Sequence, residues 1–217
     1  MYSFLSLFIH YICKMENQKQ KILEYACEMF FDCGTRSISM DDIAKKLAIS
    51  KKTLYRYYTN KENLIDKALD WELAHPKFSF ESPKFEGLNA IDRYWEFYRF
   101  VSEMIKKPHH SLDFDLKKYH PDLWSKFKNG KMKLFGEELK LNLKQGISEG
   151  LYRQELNIDI VSNILVRFYL NIWNEEYDVF SKEELMSEEL NRELTIYHLH
   201  GICSTTGIEY LNKVSKT

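Results

Sequence analysis

Proline and glycine are scarce in this chain, at four and eight of 217 residues. No alternating apolar run bounded by turn dipeptides appears either, so the chain reads as all-α. Cysteine is also rare: Cys13, Cys27, Cys33 and Cys203 fit neither a zinc spacing nor a secreted disulfide framework, which suits a reducing, cytoplasmic setting. His109, His110, His120, His198 and His200 contain no helical His-x-x-x-His pair, so no metal centre is expected. A Gly-rich phosphate loop, a nucleophile elbow and a kinase signature are all missing, and no convergent acid, base and nucleophile set supports an enzyme. Asp113 and Asp115 are read as loop or capping carboxylates. The apolar opening, residues 1 to 13, is too short for a membrane span of about 20 residues. It also lacks the basic start and small-residue cleavage site of a signal peptide. Residues 1 to 14 are therefore read as an extraneous or disordered segment, with Met15 as the true start. Lastly, no sign of charge dominates: 31 Lys and Arg face 32 Asp and Glu, a net charge of −1. That excludes a globally basic nucleic-acid coat, so any contact with DNA must be local.

One stretch supplies such a contact. From Ser39 to Tyr58 the sequence predicts two short helices joined by a tight turn. Ser39 is a good N-cap, and Asp41 and Asp42 put negative charge in the first turn. Ile43 and Leu47 make a short apolar stripe, Leu47-Ala48-Ile49 forms the turn, and Ser50 caps the second helix. Lys51 and Lys52 then sit in a first turn, where the helix dipole disfavours them. Such local violations concentrate at functional sites. From Lys45 to Lys61 every charged residue is basic: Lys45, Lys46, Lys51, Lys52, Arg56 and Lys61. At about 100° per residue Leu54 and Tyr58 share an inward face. Lys52 and Arg56 point the opposite way, beside Thr53, with Lys51, Tyr55 and Tyr57 toward the rims. This is the footprint expected of a major-groove reader, against the plainer reading of a solvated basic face.

With these residues in view, positions 22 to 69 resemble the DNA-binding domain of TetR/AcrR-type transcriptional regulators. The resemblance rests on Ile22-Leu23-Glu24-Tyr25-Ala26-Cys27-Glu28-Met29-Phe30-Phe31 with Gly34, on Asp42-Ile43-Ala44, on Ser50-Lys51-Lys52-Thr53-Leu54-Tyr55, and on Lys61-Glu62-Asn63-Leu64. Ala48 departs from it, standing where the family usually has Gly. The resemblance implies a three-helix DNA-binding domain over residues 15 to 70 and a helical ligand-binding and dimerisation domain over 71 to 217. It implies a homodimer on a palindromic operator in double-stranded DNA, acting as a repressor released by a small-molecule ligand. The expected DNA-contacting residues are Ser39, Met40, Ser50, Lys51, Lys52, Thr53, Tyr55, Arg56, Tyr57 and Lys61, with Lys61 as a phosphate clamp. Two rivals are a non-DNA interaction protein that kept the scaffold and a helical enzyme using an aromatic cavity.

The rest of the chain carries less specific signals. A first helix is expected over about 17 to 33, closed by Gly34, and a fourth from an Asn60 cap. A loop follows over 75 to 87, then helices over about 89 to 106, from Pro121 to about 148, over 157 to 176, 187 to 203 and 207 to 214. Tyr119-His120-Pro121-Asp122-Leu123-Trp124 and Gly150-Leu151-Tyr152-Arg153 extend the resemblance weakly. The middle is aromatic and by default core. The family's ligand cavity would place Trp95, Tyr98, Phe114, Tyr119, Trp124, Phe127 and Phe168 around an apolar or aromatic molecule. Ile164, Phe168, Ile172, Leu194, Tyr197 and Gly201 are the candidate dimer interface, because the apolar stripes of the last long helices exceed what one small domain can cover. No cofactor and no membrane partner are expected.

Overall fold

A computed structural model describes residues 4–106, 112–172 and 180–215. The described residues are helical and carry no strand, apart from an isolated bridge between Tyr152 and Cys203. In chain order the helices are α1 (Phe4–Ser37), α2 (Met40–Lys46), α3 (Lys51–Tyr57), α4 (Lys61–Ala74), α5 (Ala90–Lys106), α6 (Leu112–Tyr119), α7 (Pro121–Ser148), α8 (Ile158–Ile172), α9 (Lys182–Leu185), α10 (Glu188–Ile202) and α11 (Thr205–Val214).

Helix α1 begins at Phe4, well before the expected start near residue 17, so a disordered 1–14 segment does not describe the chain from Phe4 onward. No proline or glycine lies between Phe4 and Cys33 to stop the helix. Gly34, at φ 77° and ψ 163°, breaks it near the expected place, and Thr35–Ser37 form a further turn beyond the kink. Most other bounds fall within a residue or two of expectation. The expected extension of α8 to 176 lies partly outside the described residues. Helix α6, which holds Asp113 and Asp115, and short α9 were unexpected, although Ser181 and Glu184 form a reciprocal cap that the sequence spells: Ser181 N–H donates to Glu184 Oε2 at 2.7 Å and Glu184 N–H to Ser181 Oγ at 3.2 Å.

The chain divides into two compact units: Met1–Pro76 with His109–Asn129, and Lys77–Pro108 with Gly130–Thr217. In the first unit Ile22, Ala26 and Phe30 of α1 pack with Ile43, Leu54, Tyr58, Leu64, Ile65 and Ala68, and with Leu112, Leu116 and Phe127. Thus α6 and the start of α7 belong with the helix-turn-helix, not with a domain running from 71. A hydrogen bond and two ion pairs fasten them there. Buried Asp115 accepts from Arg36 N–H at 2.8 Å, and Lys126 Nζ reaches Asp66 and Asp70, each at 2.6 Å.

The second unit is built on α5, the end of α7, α8, α10 and α11, with Tyr94, Phe97, Leu143, Tyr152, Val166, Leu199 and Leu211 at its centre. Phe78, Phe80 and Phe85 from the segment before α5 complete this core. Tyr152 OH donates to Asn142 Oδ1 at 3.0 Å, and Asn142 Nδ2 donates to Ala90 O at 2.8 Å, so these two buried side chains are paired. At Gly207 an added Cβ would meet Leu151 O at 1.9 Å, which is how α11 closes against the turn before α8.

Candidate nucleic-acid interface

Local chemistry accounts for the helix-turn-helix. Ser39 and Asp42 form a full capping box: Asp42 N–H donates to Ser39 Oγ at 3.1 Å, and Ser39 N–H donates to Asp42 Oδ2 at 2.8 Å. These bonds hold the Asp42 carboxyl below the usual carboxylate range. The turn is a Schellman closure, with Ile49 N–H donating to Ala44 O at 3.0 Å and Ala48 N–H to Lys45 O at 3.1 Å. Ala48 sits at φ 52°, the left-handed region that glycine prefers. Ala48→Gly should therefore leave the fold unchanged and stabilise it by up to about 1 kcal/mol, relief of the Cβ clash being partly offset by a looser unfolded chain. A lower urea midpoint for the variant would refute this account of the turn.

Ser50 caps α3 by accepting from Thr53 N–H at 3.0 Å, and its hydroxyl also lies 2.8 Å from Thr53 Oγ1. Leu54 and Tyr58 face the core as expected, and the Tyr58 hydroxyl donates to Lys19 O at 3.2 Å. Burial raises that phenol's pKa well above its ordinary value. Lys51, Lys52, Tyr55 and Arg56 are exposed on the opposite side, and Thr53 is half-buried. Lys45 and Lys46 add exposed positive charge at the end of α2.

Several expected contacts need correction. Met40 is only 6% exposed and belongs to the core, since the first residue of α2 points at α1 and α3. Tyr57 is half-buried and its hydroxyl donates to Gln18 Oε1 at 3.0 Å, so it braces α3 rather than facing outward. The hydroxyls of Ser39 and Ser50 are committed to their caps. Nor is the patch free of acid in space: Lys51 Nζ lies 2.6 Å from Asp41 Oδ2. Both partners are more than half exposed, so this pair is weak and can open. Arg56 Nη2 rests 3.6 Å from Met15 Sδ. Lys61 begins α4 half-buried; burial pulls its ammonium pKa down while the Asp115 and Asp42 carboxylates pull it back up.

The seven aromatic residues expected around a ligand are divided between the two units. Phe114, Tyr119, Trp124 and Phe127 lie in the first unit, where Phe127 is core, edge-on to Phe31 at 6.2 Å, and Phe114 is exposed. Trp95, Tyr98 and Phe168 lie in the second; Tyr98 OH donates to Glu188 Oε1 at 3.3 Å and Phe168 is exposed. An open cleft of about 680 Å³ by Arg153, Glu155 and Thr205 contains none of them. The second unit's interior is filled instead by Phe78, Phe80, Tyr94, Phe97 and Tyr169. Phe78 and Phe80 lie outside any helix, where no periodicity marks them for burial and only their aromatic character hints at it. Among the described residues no His, Cys, Asp and Glu cluster could hold a metal, and no helix is long and apolar enough to cross a membrane.

Of the expected dimer residues, some are exposed and others half-buried. Ile160, Ile164 and Phe168 recur along one side of α8, at 57%, 61% and 42% exposure, and Tyr197 on α10 is 83% exposed. Gly201 is exposed, with open space where a Cβ would stand, while Ile172 and Leu194 are half-buried.

Comparison with known proteins agrees with this geometry. The family profile described as "Bacterial regulatory proteins, tetR family" matches residues 22–68. The HTH-type transcriptional regulator YvaF of Bacillus subtilis is 30% identical over 89 residues, 41% of this chain and 47% of that protein. The chain thus matches about half the length of that relative. The HTH-type transcriptional repressor KstR2 of Mycobacterium tuberculosis is 24% identical over 166 residues, 68% of this chain and 76% of the repressor. Among solved structures, a transcriptional regulator from Cytophaga hutchinsonii superposes with TM-score 0.66 at 19% identity, covering 85% of this chain and 98% of that one. A TetR-family regulator from Agrobacterium tumefaciens does so with TM-score 0.62 at 12% identity, covering 88% and 100%. At such identities the structures speak for the fold. Capped helices, a Schellman turn, an outward basic face and the matching profile agree: residues 22–68 form a helix-turn-helix segment of the tetR-family type, and the chain is similar to bacterial transcriptional regulators that carry it.

Proposed function

We propose that this protein is a cytoplasmic, ligand-released repressor that binds a palindromic operator as a homodimer. The first unit reads DNA, and the second dimerises and takes the ligand. The observation that carries the DNA reading is the outward face of α3. Lys52, Tyr55 and Arg56 stand clear of the core on a rigid, doubly capped helix, with Lys61 at the start of the next one. Arg can bond two base-edge acceptors at once, and Lys neutralises phosphate. The exposed stripes of α8 and α10 support dimerisation, since one recognition helix covers only a half-site. A ligand that lowers operator affinity 100-fold must prefer the released state by about 2.7 kcal/mol.

The test begins with selection of bound genomic fragments, followed by anisotropy titrations. Arg56→Ala should cost roughly 1–3 kcal/mol at the selected operator and little on unrelated DNA. Lys61→Ala should weaken all sequences alike and reduce the steepness of the salt dependence by about one unit. If both variants bind as the parent does, α3 is not the reader.

A further inference from the structure

Between α4 and α5 the chain forms no α-helix, only the short 3-10 turn Pro83–Phe85. Yet Phe78, Phe80 and Phe85 are buried in the second unit's core. The Phe78 ring lies 5.0 Å from Phe80 and 5.3 Å from both Phe97 and Phe100, while Phe80 stacks on Tyr94 at 6.2 Å. Charged side chains hold the segment's backbone. Phe80 N–H donates to Glu138 Oε2 at 2.7 Å, and Arg93 donates from Nη1 to Phe80 O at 3.0 Å and from Nε to Leu88 O at 3.2 Å. A segment pinned in this way can leave without unwinding any helix. Nearby the interior is imperfectly satisfied. His198 Nε2 is sealed from solvent without a hydrogen-bond partner, and the His198 ring lies tilted against Tyr94, centroids 5.0 Å apart. Buried orphans of this kind are rare and costly, and an occupant with a polar atom removes the cost.

We propose that the Lys77–Leu88 segment is a displaceable plug, and that the space held by Phe78 and Phe80 is a binding site for a planar aromatic ligand carrying a hydroxyl group. The ligand's ring replaces the phenyls on the wall of Tyr94, Phe97 and Phe100. Its hydroxyl both donates and accepts, so it can pair with an orphaned nitrogen, which a phenyl cannot do. Because the plug competes for the site, apparent affinity is scaled by the fraction of molecules whose plug is out. The proposal deepens the ligand-release reading and rests on it.

Its test uses the full chain without DNA, so failure of operator binding and failure of the plug are separate results. The probe is 1-naphthol, with naphthalene as the comparison. Calorimetry should give 1-naphthol at least about tenfold tighter binding than naphthalene, and bound 1-naphthol should speed amide exchange over 77–88 at least about tenfold while α5, α8 and α10 stay protected. Glu138→Ala releases the Phe80 amide without removing a core side chain, and should tighten 1-naphthol binding at least about tenfold; Phe80→Ala should do the same if it folds. The proposal is overturned if 1-naphthol does not bind, if bound 1-naphthol leaves exchange over 77–88 unchanged, or if Glu138→Ala leaves its affinity unchanged.

Discussion

Phe168→Glu or Tyr197→Glu should turn a dimer into monomers and weaken operator binding on the order of 10²–10⁴-fold. That factor is the usual gain when the second of two linked contacts becomes intramolecular. Both side chains are exposed in the single chain, so a charge there removes nothing from its core. On a face that also carries Ile160 and Ile164, however, a carboxylate would be desolvated against apolar partners. Size-exclusion chromatography with light scattering, followed by anisotropy with the whole operator and with a half-site, separates the effects. The variants should bind the half-site as the parent chain does and lose only the advantage of the palindrome. An unmodified protein that is monomeric at micromolar concentration would remove the basis of this prediction.

Acid should destabilise the second unit through His198. Burial lowers that imidazole's pKa from 6.5 to about 4, because the interior strips its charged form of water and leaves Nε2 without a partner. The unfolded chain then binds a proton between those values that the folded chain refuses. Stability is full above pH 6.5 and is lost as pH falls toward 4. At about 1.4 kcal/mol per pH unit the loss is on the order of 3 kcal/mol. The Asp42 and Glu184 carboxylates are held below their ordinary values, so their contributions fade at lower pH. Urea midpoints at pH 7, 5.5 and 4.5 should fall steeply for the parent and much less for His198→Phe. Parallel curves for the two proteins would show that His198 takes no part.

What could be read from the sequence was local. Ser39, Ser50 and Asn60 announce the helix starts because a cap needs only its own next three residues. Leu54 and Tyr58 announce the buried side of α3 because helical spacing is fixed. The departure at Ala48 foretold a left-handed residue, since the turn geometry demands one whatever occupies it. Contacts between separate elements left no such trace. Nothing marks Asp41 as the partner of Lys51, or Asp115 as the acceptor for Arg36 N–H, because those pairs form only after helices dock. The aromatic middle misled for the same reason. Composition says that Phe127 is buried, but not that it is buried among the helices of the helix-turn-helix unit.

The first unit is assembled from Met1–Pro76 and His109–Asn129, with Lys77–Pro108 belonging elsewhere. A nascent chain is threaded out from its N-terminus, so the helix-turn-helix emerges from the ribosome before the residues that seal its core. Until Leu112, Leu116 and Phe127 follow, the faces of α1 and α4 that receive them stay open to water or to a chaperone. The second unit waits longer still, because Leu211 near the C-terminus is part of its core. The first unit is therefore not a module that can be clipped off at the end of α4, and its core closes only once translation has passed well beyond that helix.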